Sequence, residues 1–159
     1  MGKLKMIRVD YRMVHGQIVA KWIKFRPVNR LILADEALVN DPFMGDIYRM
    51  AVPSYDVDII KVEDIQQTLD EKDDEVLLIF KDVTSVYQAF KSGLNIPELN
   101  VGAVQSNKDR KSILQGVSLS LDEYEKLEEM KNAGINVFFQ PIPENDPVSL
   151  KTIEKKIKQ

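Results

Sequence analysis

One histidine occurs in 159 residues, and it stands in the run RVDYRMVHGQ, Arg8 to Gln17. Two arginines and an aspartate precede it at alternate positions, and a glycine and a glutamine follow. These residue types suit phosphate chemistry. The imidazole of His15 offers a neutral, nucleophilic nitrogen at cellular pH, and guanidinium groups pair with phosphoryl oxygens in a fixed fork. Phosphoryl transfer needs in-line placement and charge stabilisation more than covalent assistance from the protein. Asp10 could orient the ring through the N–H that does not react. A strand carried through Arg8, Asp10 and Arg12 would set all three on one side, about 6.6–6.8 Å between neighbours, with Ile7 and Val9 opposite. Gly16 would leave the imidazole open and let the backbone turn. On spacing alone, a charged surface turn with a weak ion pair accounts for the run somewhat better.

The elements that must hold this segment read as α/β. Apolar, β-branched runs occupy 5–10, 30–35, 57–62, 75–80, 98–104 and 135–142, as expected of strands buried on both faces of a parallel sheet. Helical patterns lie between them. GQIVAKWIKF puts Ile18, Val19, Trp22 and Ile23 on one stripe, and Asp41-Pro42 reads as an N-cap and first helical position. Further helices are expected over 62–71, 83–93, 121–134 and 148–157, with Gly93 and Gly134 as C-terminal stops. The alternation predicts a single-domain, doubly wound, mostly parallel twisted sheet with helices on both faces, over residues 1–159. The polar stretch 105–116 reads as a loop or a short irregular strand at the sheet edge. In such sheets ligands bind outside the carboxyl ends of the strands, and His15 follows the first of them.

Composition narrows the functions. Hydrophobic residues at 44% and charged residues at 30% describe a globular chain, and a net charge of −3 gives no general attraction to nucleic acid or anionic membrane. With no cysteine and one histidine, thiolate chemistry is absent and a metal site would rest on carboxylates, for which no patterned run exists. The first residues lack the apolar core of a signal peptide, and no run is long enough to span a bilayer. A soluble protein in the cell, without an anchor of its own, is expected. No P-loop, GxGxxG, HExxH or GxSxG pattern occurs.

RVDYRMVHGQIVAKW resembles the active-site segment of the enzyme IIB subunits of the mannose/fructose/sorbose family of the phosphoenolpyruvate-dependent sugar phosphotransferase system. The likeness continues in RLILADEALVNDPF (30–43), MAVP (50–53), VLLIFKDV (76–83), ELNVGAV (98–104) and SLSLDEYEKLEEMKNAGINVFFQPIP (118–143). The pattern R-x-D-x-R-x-x-H-G-Q is its specific part. Ala103 departs from the family's second glycine and Val104 from a common methionine. The resemblance implies that His15 accepts a phosphoryl group from the phosphohistidine of enzyme IIA and passes it to a sugar held by the membrane subunits IIC and IID. Arg12 then matches the arginine that stabilises the phosphate, and Arg8, Asp10, Gly16 and Gln17 fall on the same motif. It implies a mostly parallel α/β fold, no metal and no organic cofactor, a cytoplasmic place beside the membrane subunits, and leaves homodimerisation open. Mannose, fructose, sorbose and amino sugars are all admitted, with a lean toward N-acetylgalactosamine.

Other strand-end residues are candidates for the rim. Lys81 either meets the incoming phosphoryl group or is a solvated terminus, and Asn100 and Gly102 shape the loop facing His15 unless the glycine serves close backbone packing. Asp35, Asn40 and Asp41 sit on the rim or cap helices, capping being favoured for Asp41. Trp22 reads as a core or interface anchor, and Arg26, Arg30 and Arg49 as surface cations that could face an acidic partner. The competing function is a receiver-like regulator phosphorylated on aspartate. It lacks the acidic doublet that would hold Mg²⁺.

Overall fold

The computed structural model describes residues 1–159, the side chain of Val19 excepted, so that residue's place on the expected helical stripe lies outside the described residues. Seven strands form one sheet in the order β3-β2-β4-β1-β5-β8-β9. They are β1 (Lys3–Asp10), β2 (Arg30–Ala34), β3 (Asp56–Ile60), β4 (Glu75–Phe80), β5 (Glu98–Ala103), β8 (Asn136–Phe139) and β9 (Val148–Ser149). All neighbours pair in parallel except β9, which runs antiparallel to β8. The six apolar runs all became strands, because both faces of this sheet are covered and a strand buried on two sides has no polar face to show.

Period-two geometry divides the core in two. Ile7, Val9, Ile32, Leu78 and Phe80 face one side. There they meet α4 (Ile65–Asp70), α5 (Val83–Lys91), α6 (Leu121–Asn132) and α7 (Leu150–Ile157). Met6, Leu31, Leu33, Leu77 and Ile79 face the other side. That side carries the segment after β1 together with α2 (Glu36–Val39) and α3 (Pro42–Ala51). Caps close the helices where the sequence placed acceptors. Asp35 and Asp41 accept from the Leu38 and Met44 N–H groups, and Ser120 and Glu123 form a capping box on α6.

Four details depart from the reading of the sequence. The helix after His15 is not a plain α-helix: Ile18–Trp22 is a π-helical turn, closed by the Ile23 N–H on the Ile18 carbonyl, and it runs into the single α-turn α1 (Ile23–Phe25). Residues 148–149 pair with β8 before the last helix starts at Leu150. The stretch 105–116 contains β6 (Lys111–Leu114), which makes an antiparallel hairpin with β7 (Val117–Leu119) beside β5. Its leading loop is tied down by Arg110, whose guanidinium makes two 2.9 Å bonds to the Glu123 carboxylate. Finally, Arg30 is not a surface cation: it is fully buried, bonded to Asp58 and Asp74 at 2.9 Å each. Neither partner lies near it in sequence, so the pairing could not be read locally.

Candidate functional site

Strand order decides where the site falls. The chain leaves β1 toward β2 on one side of the sheet and leaves β5 toward β8 on the other. The gap between the carboxyl ends of β1 and β5 is therefore the topological switch point, where open α/β sheets bind ligands. A cleft of about 660 Å³ opens there, with Arg12, Gln17, Gly102, Gln115, Pro141 and Asn145 in its walls.

The turn that carries His15 is built by Asp10. The strand ends at Asp10 and does not carry through Arg12, so the expected three-residue alternation stops after Arg8 and Asp10. The Asp10 carbonyl accepts the Met13 N–H at 3.0 Å, and its Oδ1 accepts the Arg12 N–H at 3.0 Å. An aspartate side chain bonding two residues ahead is a turn device in its own right. The left-handed residue is Met13, with φ 59° and a buried side chain. A non-glycine residue there costs about 1–2 kcal/mol, which the burial of its thioether offsets. Gly16, expected to make the turn, does not. It has no left-handed φ, and a Cβ added to it would meet nothing within 4 Å.

Asp10 then divides its two oxygens. Oδ1 also takes Arg12 Nε at 3.3 Å. Oδ2 takes Arg8 Nε and one terminal nitrogen at 3.3 Å each, and stands 2.7 Å from His15 Nε2. Burial by itself pushes the Asp10 carboxyl up, but the hydrogen bond from His15 and the charge of Arg8 outweigh it, and the group ends below the ordinary carboxylate range. An ionised carboxylate only accepts, so the network assigns the ring proton to Nε2 and leaves the lone pair on Nδ1. The Gln17 N–H points at that Nδ1 from 3.3 Å. The His15 side chain keeps 15% of its surface and that of Arg12 39%, whereas Arg8 and Asp10 show none.

Arg8 is held from behind. Its terminal nitrogens donate to the carbonyls of Gln140 at 3.0 Å and Pro141 at 2.8 Å. Gly102 is required by this packing, since a Cβ there would stand 2.0 Å from the guanidinium carbon. The burial of Arg8 pulls its pKa down to about 10 despite the pairing with Asp10. At about 1.4 kcal/mol per pKa unit, keeping the charge there costs roughly 3 kcal/mol. Two guanidinium charges thus meet one carboxylate, and with a neutral imidazole the cluster is one anion short.

The remaining candidates separate. Asn100 and Gly102 lie within β5 rather than in a loop. Asn100 is buried at the register position beside Arg8, and its side-chain amide has no partner among the described residues. Lys81 is exposed and borders a smaller cleft of about 170 Å³ with Asp35, Asp41 and Tyr48, and it makes no ion pair among the described residues. Arg26 pairs with Glu98 at 2.6 Å and Arg49 approaches Asp46 at 3.9 Å. No spacing along the chain pointed to the Gln140 and Pro141 carbonyls or to Met13. Trp22, seven residues past His15, is the buried anchor that its helical stripe predicted, but its link to the site was not visible along the chain. Among the described residues no group of three acidic or histidine side chains gathers to hold a metal ion, and no helix is long and apolar enough to cross a membrane.

Comparisons with known proteins agree on one family. Residues 4–159 match the model of the PTS system sorbose subfamily IIB component. The N-acetylgalactosamine-specific phosphotransferase enzyme IIB component 2 of Escherichia coli (strain K12) is 24% identical, over 94% of this chain and 98% of that protein. The mannose-specific EIIAB component of the same strain is 21% identical over 96% of this chain, which spans 48% of that longer protein. The crystal structure of manxB from Thermoanaerobacter tengcongensis superposes with a TM-score of 0.91 at 34% identity, over 98% of this chain and 97% of that one. The receiver-like alternative falls with these matches: the chain belongs to the sorbose-subfamily IIB components of the sugar phosphotransferase system.

Proposed function

We propose that residues 1–159 form one IIB domain that carries a phosphoryl group on His15 Nδ1. It takes the group from the phosphohistidine of enzyme IIA and delivers it to a sugar held by the membrane subunits IIC and IID. The observation that carries this reading is the anion-short cluster at the switch point. Asp10 holds Nε2–H at 2.7 Å, so the ring's lone pair is on Nδ1, where the Gln17 N–H meets it at 3.3 Å.

In the first step the Nδ1 lone pair attacks phosphorus in line while the donor's N–P bond breaks and its electrons return to the donor ring. The proton stays on Nε2 throughout, donated to the Asp10 carboxylate, which balances the positive charge the ring gains on phosphorylation. Arg12 and the Gln17 N–H take equatorial oxygens as charge spreads over them, and Arg8 acts from behind by holding the carboxylate. The open space at Gly16 leaves room for the donor's ring. In the second step a sugar hydroxyl attacks the same phosphorus and the N–P electrons return to Nδ1. All bonds made and broken lie at His15, the donor and the sugar, so the reading calls on no metal or organic cofactor. The relative whose name joins A and B components in one chain supports IIA as the donor. The work is cytoplasmic, against the inner mouth of the membrane subunits. The sugar belongs to the class named by the family and its relatives, a hexose, sorbose or N-acetylgalactosamine.

Incubation with phosphoenolpyruvate, the upstream phosphocarriers and IIA tests the reading. The wild type should take one acid-labile, base-stable phosphate and His15→Ala none. Labelling of His15→Ala at the wild-type level refutes it. Arg12→Ala should keep its stability within about 0.5 kcal/mol, as an exposed ion pair allows. It should accept phosphate about 10²-fold more slowly.

A further inference from the structure

Trp22 is the only tryptophan, 2% exposed, and it is absent from the walls of the cleft beside His15. It cannot touch an incoming phosphoryl group. Its contacts nevertheless run to the reacting ring. The indole Nε1–H donates to the Pro141 carbonyl at 3.0 Å, the same oxygen that takes an Arg8 nitrogen at 2.8 Å. The guanidinium carbon of Arg8 lies 5.0 Å from the centre of the indole ring. Arg8 then meets Asp10 Oδ2, and Oδ2 meets His15 Nε2. Two residues separate the indole from the imidazole.

We propose that Trp22 is a positioning residue for phosphoryl transfer, acting through Arg8 and Asp10 to set the His15 ring. The inference rests on His15 being the phosphoryl carrier. A residue that only filled space here would need no N–H. The indole instead bonds the carbonyl that anchors Arg8 and offers that cation the negative face of an aromatic ring. Arg8 needs such help. Its bonds to Asp10 are long, at 3.3 Å, and Asn100 beside it supplies none. A small rotation of the guanidinium would move the Asp10 oxygen that holds Nε2–H. The backbone bears the same mark. Trp22 ends a π-helical turn, a wide turn that shifts a side chain around the helix axis relative to an α-helix and recurs at functional sites.

The experiment compares wild type, Trp22→Phe, Trp22→Leu and His15→Ala in single-turnover transfer from phosphorylated IIA, with ¹⁵N NMR of the imidazole and indole nitrogens. Trp22→Phe keeps a ring face and loses the N–H; Trp22→Leu loses both. Acceptance should slow about 10-fold in the first and about 100-fold in the second, the range found for groups that orient a reacting ligand from behind. Half-saturation in IIA should stay unchanged, because Trp22 is not on the surface. The His15 ring should lose its single Nε2–H tautomer in Trp22→Leu. In the wild type, phosphorylation of His15 should shift the indole N–H resonance, a measurement that stands even if Trp22→Leu fails to fold. Rates within twofold of wild type in folded Trp22 variants, or an indole resonance unmoved by phosphorylation, overturn the proposal while leaving His15 as carrier. A wild type that takes no phosphate on His15 overturns both.

Discussion

Two arginines of this chain are fully buried, and they have opposite fates. Arg30 opens β2 at the amino end of the sheet and has the carboxylates of Asp58 and Asp74 at 2.9 Å each, with the Thr68 carbonyl at 3.2 Å. Burial pulls its pKa down, but the bonds to Asp58 and Asp74 outweigh that, and the group ends above its ordinary value. Arg8 sits near the carboxyl end of β1 with one carboxylate, shared with Arg12 and His15, and its pKa falls to about 10. Equal burial therefore says nothing about role. Arg30 is oversupplied with negative charge and staples strands together. Arg8 is undersupplied, and under the proposed function a phosphoryl group on His15 would bring the missing negative charge.

The contrast is broken most sharply by one substitution at each end. Asp10→Asn should slow phosphoryl acceptance by about 10²-fold or more, since an amide no longer dictates which ring nitrogen keeps the proton. Arg30→Met should cost about 3 kcal/mol of stability, the usual effect of breaking a buried ion pair, with acceptance per folded molecule unchanged. Denaturant midpoints and transfer rates on the same preparations check both. A slow Arg30→Met would mean that the two ends are coupled.

Gly102→Ala comes next in size. Its Cβ would overlap the guanidinium at 2.0 Å, so Arg8 must move. A loss of about 1–3 kcal/mol is expected, with acceptance slowed about 10-fold. Normal rates in a folded Gly102→Ala would show that the exact seat of Arg8 does not matter.

The smallest effect is in the acid limb of stability. The folded pKa of Asp10 lies below the unfolded value of about 3.9. Its contribution is therefore complete above about pH 4 and lost as pH falls through the lower folded value. Thermal melts from pH 5 to 2 should show a shallower acid limb in Asp10→Asn than in wild type. Identical limbs would mean that Asp10 is no better paired folded than unfolded.

Much of the frame was legible along the chain. Consecutive apolar residues marked the six parallel strands, since burial on both faces removes polar alternation, and Asp41 announced its helix. The weak segments were short or paired at a distance: β6, β7 and β9 have two to four residues each, too few for a period to show. At the site, the motif spacing placed Arg8, Asp10, Arg12 and His15 together correctly but missed how. It assumed an extended strand through Arg12, where Asp10 instead caps its own turn and Met13 takes the left-handed backbone.

The sequence by itself determined the family, the parallel α/β frame and the segment that carries His15, because these rest on local residue types and on periodicity. Only the tertiary structure decided which arginine serves as a staple and which is held short of charge. It alone placed the sole tryptophan behind Arg8 and left the lone pair of His15 on Nδ1, facing the Gln17 N–H. Each of these depends on partners brought together across the sheet, such as Asp74 for Arg30 and the Pro141 carbonyl for Arg8 and Trp22. Charge balance and burial are sums over neighbours in space, and no spacing along the chain records them.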